Sequence, residues 1–211
     1  GLIYAKLIQG LGEEGAMQYA SANQNAIKLY RQIISSEQIN CDFTPCSAWV
    51  YTTSEEKLQA IQDEVQAAQK LGISATYENQ TELPLPVKGA IKFPDQAHFH
   101  PLKFAFRICD ILSKAGCQIY TNTTATAAEE GIVRTQKGNI RAANIISCSH
   151  YPFIDKHSLL FTKVFQERSY VLALKGIEPI RDMYLDCVDG GFSFRPQRDE
   201  NSEDMILFGA Y

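Results

Sequence analysis

The hydrophobic pattern of this chain changes period along its length, and that change limits the folds open to it. Through about residue 115, apolar residues recur at helical spacing in three blocks separated by β-prone pieces, whereas the last third carries no helical period. A chain that alternates helix and strand and then supplies strands alone points to an α/β (α+β-like) class. The expected architecture is a mixed, largely antiparallel sheet with helices on one face.

The first helical block places Ala16, Tyr19, Ala20, Ala26, Ile27, Tyr30, Ile33 and Ile34 on one stripe. A strand follows within residues 41–53, ending in the aromatic and β-branched run Ala48-Trp49-Val50-Tyr51-Thr52-Thr53. Ser54 is the expected N-cap of a second helix, with Glu55 and Glu56 in its first turn and Leu58, Ile61, Val65, Ala68 and Leu71 on its apolar face. Gly72 supplies the left-handed residue that stops this helix before a short strand at 73–77. Pro84 and Pro86 force an extended loop into a strand at 89–93. Pro101 opens a third helix with Leu102, Ala105, Ile108, Cys109, Leu112 and Ala115 on its apolar side, and Gly116 ends it. A β-meander is expected next, from Ile119-Tyr120, residues 132–135 and Asn144-Ile145-Ile146, with Lys137-Gly138-Asn139 as its turn. Segments 163–174, 183–188, 191–194 and 205–208 then supply the remaining antiparallel strands, and the charged stretch 198–204 reads as a solvated hairpin loop.

Composition excludes several classes. A net charge of −4 without a Lys/Arg run gives no attraction to nucleic acid or to an anionic membrane. No apolar run approaches the roughly 20 residues of a membrane span, and no export signal is present, so a soluble cytoplasmic protein is expected. The six cysteines include no C-x-x-C pair; they read as buried thiols, with Cys109 and Cys148 in core-like apolar stretches.

The chemistry-bearing motifs are few. No G-x-G-x-x-G or Walker-type loop occurs, since Gly10, Gly12 and Gly15 have the wrong spacing. His98 and His100 alternate as metal ligands on a strand do, yet only Asp95 and His150 offer themselves as a third ligand, so no metal is assigned. Ser149, His150 and Asp155 are sequence neighbours without a nucleophile elbow, which sets hydrolysis aside.

Three stretches nevertheless resemble one family, the FAD-dependent oxidoreductases that include D-amino-acid oxidase, glycine oxidase, sarcosine oxidase and γ-glutamylputrescine oxidase. The first is Ala97-His98-Phe99-His100-Pro101-Leu102, its helix, then Ala115-Gly116-Cys117-Gln118-Ile119-Tyr120 and Thr123-Thr124-Ala125. The second is residues 143–153, ending Ser147-Cys148-Ser149-His150-Tyr151-Pro152-Phe153, similar to a branch some of whose members carry a C-terminal Rieske iron-sulfur domain. The third joins the opening Gly1-Leu2-Ile3-Tyr4 and its helix to the closing Leu207-Phe208-Gly209-Ala210-Tyr211.

The resemblance implies an FAD-dependent enzyme that oxidises a C–N bond of an amine or amino acid. Cofactor contacts would fall at the Ala125 backbone and at Cys148, Ser149 and His150, where Ser149-His150 replaces the family's glycine-containing turn. Residues 1–95 and 155–211 would form the substrate-binding domain, and 96–154 would be part of the FAD-binding domain. Tyr51, His98, Tyr170, Tyr184, Phe192 and Arg195 are the expected substrate-wall residues, with the planar fork of Arg195 suited to a carboxylate. Both termini would lie inside a longer polypeptide whose missing segments, and in one branch a Rieske domain, are its partners. On this reading the chain alone folds but binds FAD poorly and is inactive. The competing expectation is a stand-alone ligand-binding or interaction domain without FAD.

Overall fold

The computed structural model describes residues 1–129, 131–154, 159–188, 190–199 and 201–210. In chain order the elements are α1 (Tyr4–Ser36), β1 (Thr44–Thr52), α2 (Leu58–Lys70), β2 (Thr76–Glu78), β3 (Gly89–His98), α3 (Pro101–Lys114), β4 (Ala125–Glu129), β5 (Ile132–Thr135), β6 (Gly138–Arg141), β7 (Tyr170–Lys175), β8 (Met183–Asp186), β9 (Phe192–Arg198) and β10 (Asp204–Ala210). They divide into two compact units, Gly1–Ile108 with Ser169–Tyr211, and Cys109–Arg168.

The first unit is built on a seven-stranded sheet of order β2-β3-β1-β8-β9-β10-β7. Every pairing is antiparallel except β1 with β8. The parallel pair needs a long crossover, and more than a hundred residues separate its strands. Tyr4, Ala16 and Ala20 of α1 and Ile61, Val65 and Ala68 of α2 pack with Val50 and Ile91 on one face. Trp49, Tyr51, Leu83, Ala90, Ile180, Tyr184 and Ile206 form a second cluster. The strict alternation of side chains along β1 sends Val50 to one cluster and Trp49 and Tyr51 to the other.

Helix α1 breaks at Gly12, whose φ of 73° and ψ of 173° are non-helical. A residue with a Cβ resists that conformation. Its first turn is held by Glu64 of α2, which is 0% exposed. The Glu64 carboxylate accepts the N–H groups of Ile3 at 2.6 Å, Tyr4 at 2.7 Å and Ala5 at 2.9 Å. These are donors that no helix can satisfy from within, and the helix dipole favours an anion at that end.

Several local expectations are corrected. The Ser54 side chain does not cap α2: a single 3-10 turn, Glu55–Lys57, intervenes, and the Ser54 N–H donates to Thr52 Oγ1 at 3.1 Å. Strand β3 runs past Pro94 to His98, because a bulge opposite Ser47 leaves Pro94 and Asp95 outside the ladder. Pro196 likewise lies inside β9, opposite Ile206 of β10 and beyond the last residue that β9 pairs with β8.

The unit of residues 109–168 contains the antiparallel meander β4-β5-β6. Its strands are not all those expected: Ile119-Tyr120 and Asn144-Ile145-Ile146 are irregular, and the turn is Gln136-Lys137, after which Gly138 begins β6. Cys109 and Cys148 are exposed, not core; of the six thiols Cys41 alone is buried. Helix α3 has the expected limits but no buried residue, and Phe106 on it is 67% exposed. Its apolar stripe correctly announced a helix without supplying the surface that covers it.

Removing the Glu64 carboxylate orphans three backbone donors in one step. Glu64→Ala should lower unfolding stability by on the order of 3 kcal/mol, and Glu64→Gln, which keeps one acceptor oxygen, by less. Urea unfolding of the two variants measures the difference; equal stability of Glu64→Ala and the parent would dismiss the cap.

Candidate functional site

Strand register decides what each face of the sheet presents. Ala48 pairs with Phe93 and with Met183, and Arg195 pairs with Leu207. The β8–β9 register, Tyr184↔Phe194 and Leu185↔Ser193, sets Met183 opposite Arg195 one residue further along. Phe93, Ala48, Met183, Arg195 and Leu207 therefore form a lateral row on the face that carries the helices. Trp49, Tyr184, Phe194 and Phe208 form the corresponding row on the other face, where Trp49 stacks on Tyr184 at 5.8 Å and Phe194 meets Phe208 at 5.2 Å.

Beside Arg195 lies a cleft of about 540 Å3, lined by His100, Pro101, Lys175, Gln197, Met205 and Leu207. Its other cations are neutralised. Lys175 bonds to Asp199 and, at 3.3 Å, to Glu203; Arg198 pairs with Asp204 at 3.1 Å. Arg195 has no carboxylate partner among the described residues. Its guanidinium donates only to the carbonyl of Phe99 and to Gln197 Oε1, both at 3.3 Å. Of its five N–H groups, most remain free for a ligand.

The carboxylates of Asp182 and Glu82 are committed to the sheet itself. Asp182 accepts the Ser47 N–H at 2.7 Å and the Trp49 Nε1–H at 2.8 Å, which fixes β1 opposite the bulge of β3. Glu82 accepts the N–H groups of Arg181 and Asp182 and the hydroxyl of Tyr184. Burial lowers the Arg195 pKa, with the Cys46 thiol opposing. Burial, then Asp182, pushes the Cys46 thiol up to about 11, so it stays protonated. His98 is 8% exposed and both its ring nitrogens lack a partner among the described residues. Burial first, then the Arg195 charge, lowers its pKa.

Of the six wall residues, the fold thus brings Arg195 and His98 together. Tyr51, Tyr170, Tyr184 and Phe192 fall by strand alternation on the opposite face. Tyr51 is 1% exposed with an unpartnered hydroxyl whose pKa burial pushes up to about 12. Tyr184 is buried with its hydroxyl on Glu82, and burial first, then Glu82, raises its pKa. Tyr170 is exposed at the start of β7, and the Phe192 ring lies 5.1 Å from Phe208. His100 precedes α3, with its Nδ1 facing the Lys103 N–H at 3.4 Å. No cluster of three or more His, Cys, Asp or Glu suited to a metal occurs among the described residues.

In the other unit, Ala125 opens the edge strand β4. Cys148, Ser149 and His150 lie exposed in an irregular segment, with Ser149 donating to the Tyr151 carbonyl at 2.8 Å. Asp155 lies outside the described residues. Sequence reasoning missed Met183, Ala48 and Gln197. Gln197 shares a strand face with Arg195 at spacing two and was within reach of that rule; the other two depend on register.

The chain matches the FAD dependent oxidoreductase (DAO) family over residues 2–211. It is 34% identical over 212 residues to YhfW of Bacillus subtilis (strain 168), which is named as a Rieske 2Fe-2S iron-sulfur protein; the match covers 98% of this chain and 42% of that protein. The chain therefore spans less than half the length of the curated relative it matches. Its fold is shared with glycine oxidase from Geobacillus kaustophilus (TM-score 0.68, 14% identity, 93% of this chain and 54% of that one). L-proline dehydrogenase from P. horikoshii is similar too (TM-score 0.66, 12% identity, 87% and 53%). No helix among the described residues is long and apolar enough to cross a membrane.

A histidine held neutral by burial leaves a mark on stability. With the folded pKa of His98 lowered, the unfolded chain binds its proton first as the pH falls through the ordinary value of about 6.5, so stability is lost from there down to the folded pKa. Denaturation midpoints should fall between about pH 7.5 and about pH 5.5, and His98→Phe should flatten that fall. An unchanged slope in the variant would mean that His98 charges freely in the folded state.

Proposed function

Because this chain belongs to the FAD dependent oxidoreductase family, we propose that its seven-stranded unit forms the substrate wall of an enzyme oxidising the C–N bond of an amino acid or amine. One observation carries this reading: Arg195 is a half-buried guanidinium without a carboxylate partner among the described residues, facing a cleft whose other cations are already paired. A charge removed from water without a partner is costly, and a substrate carboxylate supplies the missing one in bidentate form. Gln197 and the Phe99 carbonyl hold the fork in place, and His98, neutral and buried, adds no competing charge.

In this reading FAD would meet the second unit at two places. Strand β4 is an edge, so alternate backbone groups from Ala125 onward point away from β5, as an adenine contact through the main chain requires. Cys148, Ser149 and His150 are exposed and would meet the cofactor at a second point. The described residues include no glycine-rich phosphate cradle, and in this reading the remaining length seen in the B. subtilis relative supplies it. FAD, when bound, supplies the acceptor for the hydride leaving the carbon that bears the amine. The protein residues orient that carbon through the carboxylate and keep water from it. The relative's name supports a Rieske 2Fe-2S domain as the partner that takes the electrons onward.

The natural full-length protein should be yellow, and a folded colourless one would favour a binding domain without flavin instead. Arg195→Ala should reduce kcat/KM for amino acids by about 30-fold to about 150-fold, mostly through KM, while amines lacking a carboxylate lose little. Arg195→Lys should recover only part of the loss, because an ammonium cannot pair bidentately. Equal losses for amino acids and simple amines would remove Arg195 from the carboxylate site.

A further inference from the structure

We infer that an anion binds at Arg195 together with a proton that His98 takes from solvent, so that His98 is a positioning residue acting on the anion through Arg195. This rests on Arg195 as the carboxylate anchor. His98 ends β3 opposite Thr44 of β1 and is buried. Neither of its ring nitrogens has a partner among the described residues. Buried polar atoms are nearly always hydrogen-bonded, so an imidazole with both nitrogens unsatisfied calls for a cause. The next residue, Phe99, supplies the carbonyl to which Arg195 Nη1 donates at 3.3 Å, which holds the guanidinium against the main chain adjoining His98.

The charges around His98 come from three elements. Strand β9 brings Arg195, and β1 brings the Cys46 thiol, which bonds to the His98 main chain and stays protonated. At the start of α3, His100 turns its Nδ1 to the Lys103 N–H, and Lys103 is paired with Asp42 at 2.7 Å. Among the described residues Arg195 is the one charge that acts on the imidazole. Burial, then a guanidinium without a counter-ion, therefore keeps His98 neutral in the empty site. A carboxylate docked on Arg195 removes the second cause and leaves the first. One of the free ring nitrogens then accepts a proton more readily, and by reciprocity the protonated histidine holds the anion more tightly. Anion affinity should accordingly rise as the pH falls below neutrality, while the stability of the empty protein declines over the same range.

The test is calorimetric titration of the full-length protein with sodium acetate, repeated in buffers of different ionisation enthalpy so that protons taken up are counted. Acetate affinity should tighten by about threefold to tenfold between about pH 7.5 and about pH 5.5, with net proton uptake on binding. His98→Phe should bind acetate without uptake and with a flat pH profile. His100→Asn, which alters the histidine lining the cleft itself, should leave the uptake in place. No uptake by the parent, uptake that survives in His98→Phe, or uptake abolished by His100→Asn overturns the inference. If acetate binding depends on Arg195, as Arg195→Ala reports, but takes up no proton, the anchor stands and the coupling fails. If the parent binds no acetate, or Arg195→Ala binds it equally well, the anchor fails and the inference with it. Should His98→Phe not fold, the parent decides alone: the NMR titration midpoint of the His98 ring should rise by about one pH unit in saturating acetate, and an unmoved midpoint overturns the inference.

Discussion

The carboxylate of Glu64 is the joint on which the helical side of the sheet depends. Fully buried, it is tolerable only because it takes three backbone donors from the start of α1. The contact ties the first turn of one helix to the middle of another. Helix α2 packs in turn on β1 and β3 through Ile61, Val65 and Ala68. Beyond the break at Gly12, Ala16 and Ala20 pack into the same cluster, and the later turns, with Ile27 and Tyr30, lie over Ala48, Val50 and Met183. The exposed Lys70–Glu13 pair at 2.6 Å joins the same helices but, being solvated, contributes little by comparison.

The second constraint is how acidic groups are spent. The carboxylates of Asp182 and Glu82 are taken up by backbone N–H groups and by Trp49 and Tyr184. Asp199, Glu203 and Asp204 are taken by Lys175 and Arg198 at the hairpin. Among the described residues Arg195 is left with neutral acceptors only. The shape of the sheet and the reactivity of the cleft are thus set by the same allocation of carboxylates.

Much of the architecture was legible. The helical stripes fixed α1, α2 and α3, and Gly72, at φ 75°, ends α2 as its lack of a Cβ allows. The meander was legible only in outline, because Ile119-Tyr120 and Asn144-Ile145-Ile146 have strand-forming residues without partners to pair with. Cys109 and Cys148 misled for a related reason. An apolar neighbourhood in sequence reports a preference for burial, while burial itself needs a second surface.

For the site, the sequence by itself determined the residue types and the family: an arginine suited to a carboxylate, the strings around Pro101 and His150, and a sheet fed by the last third of the chain. Those signals are local, and local propensity and motif spacing record them. Only the tertiary structure decided that Tyr51, Tyr170, Tyr184 and Phe192 share one face while Arg195 lies on the other, beside Met183 and near His98. Strand residues alternate with a period of two, so a shift of one position in register exchanges the faces completely. That register is set by β1 pairing with β8 across more than a hundred residues and by the bulge of β3 opposite Ser47, neither of which is fixed by the composition of a single strand.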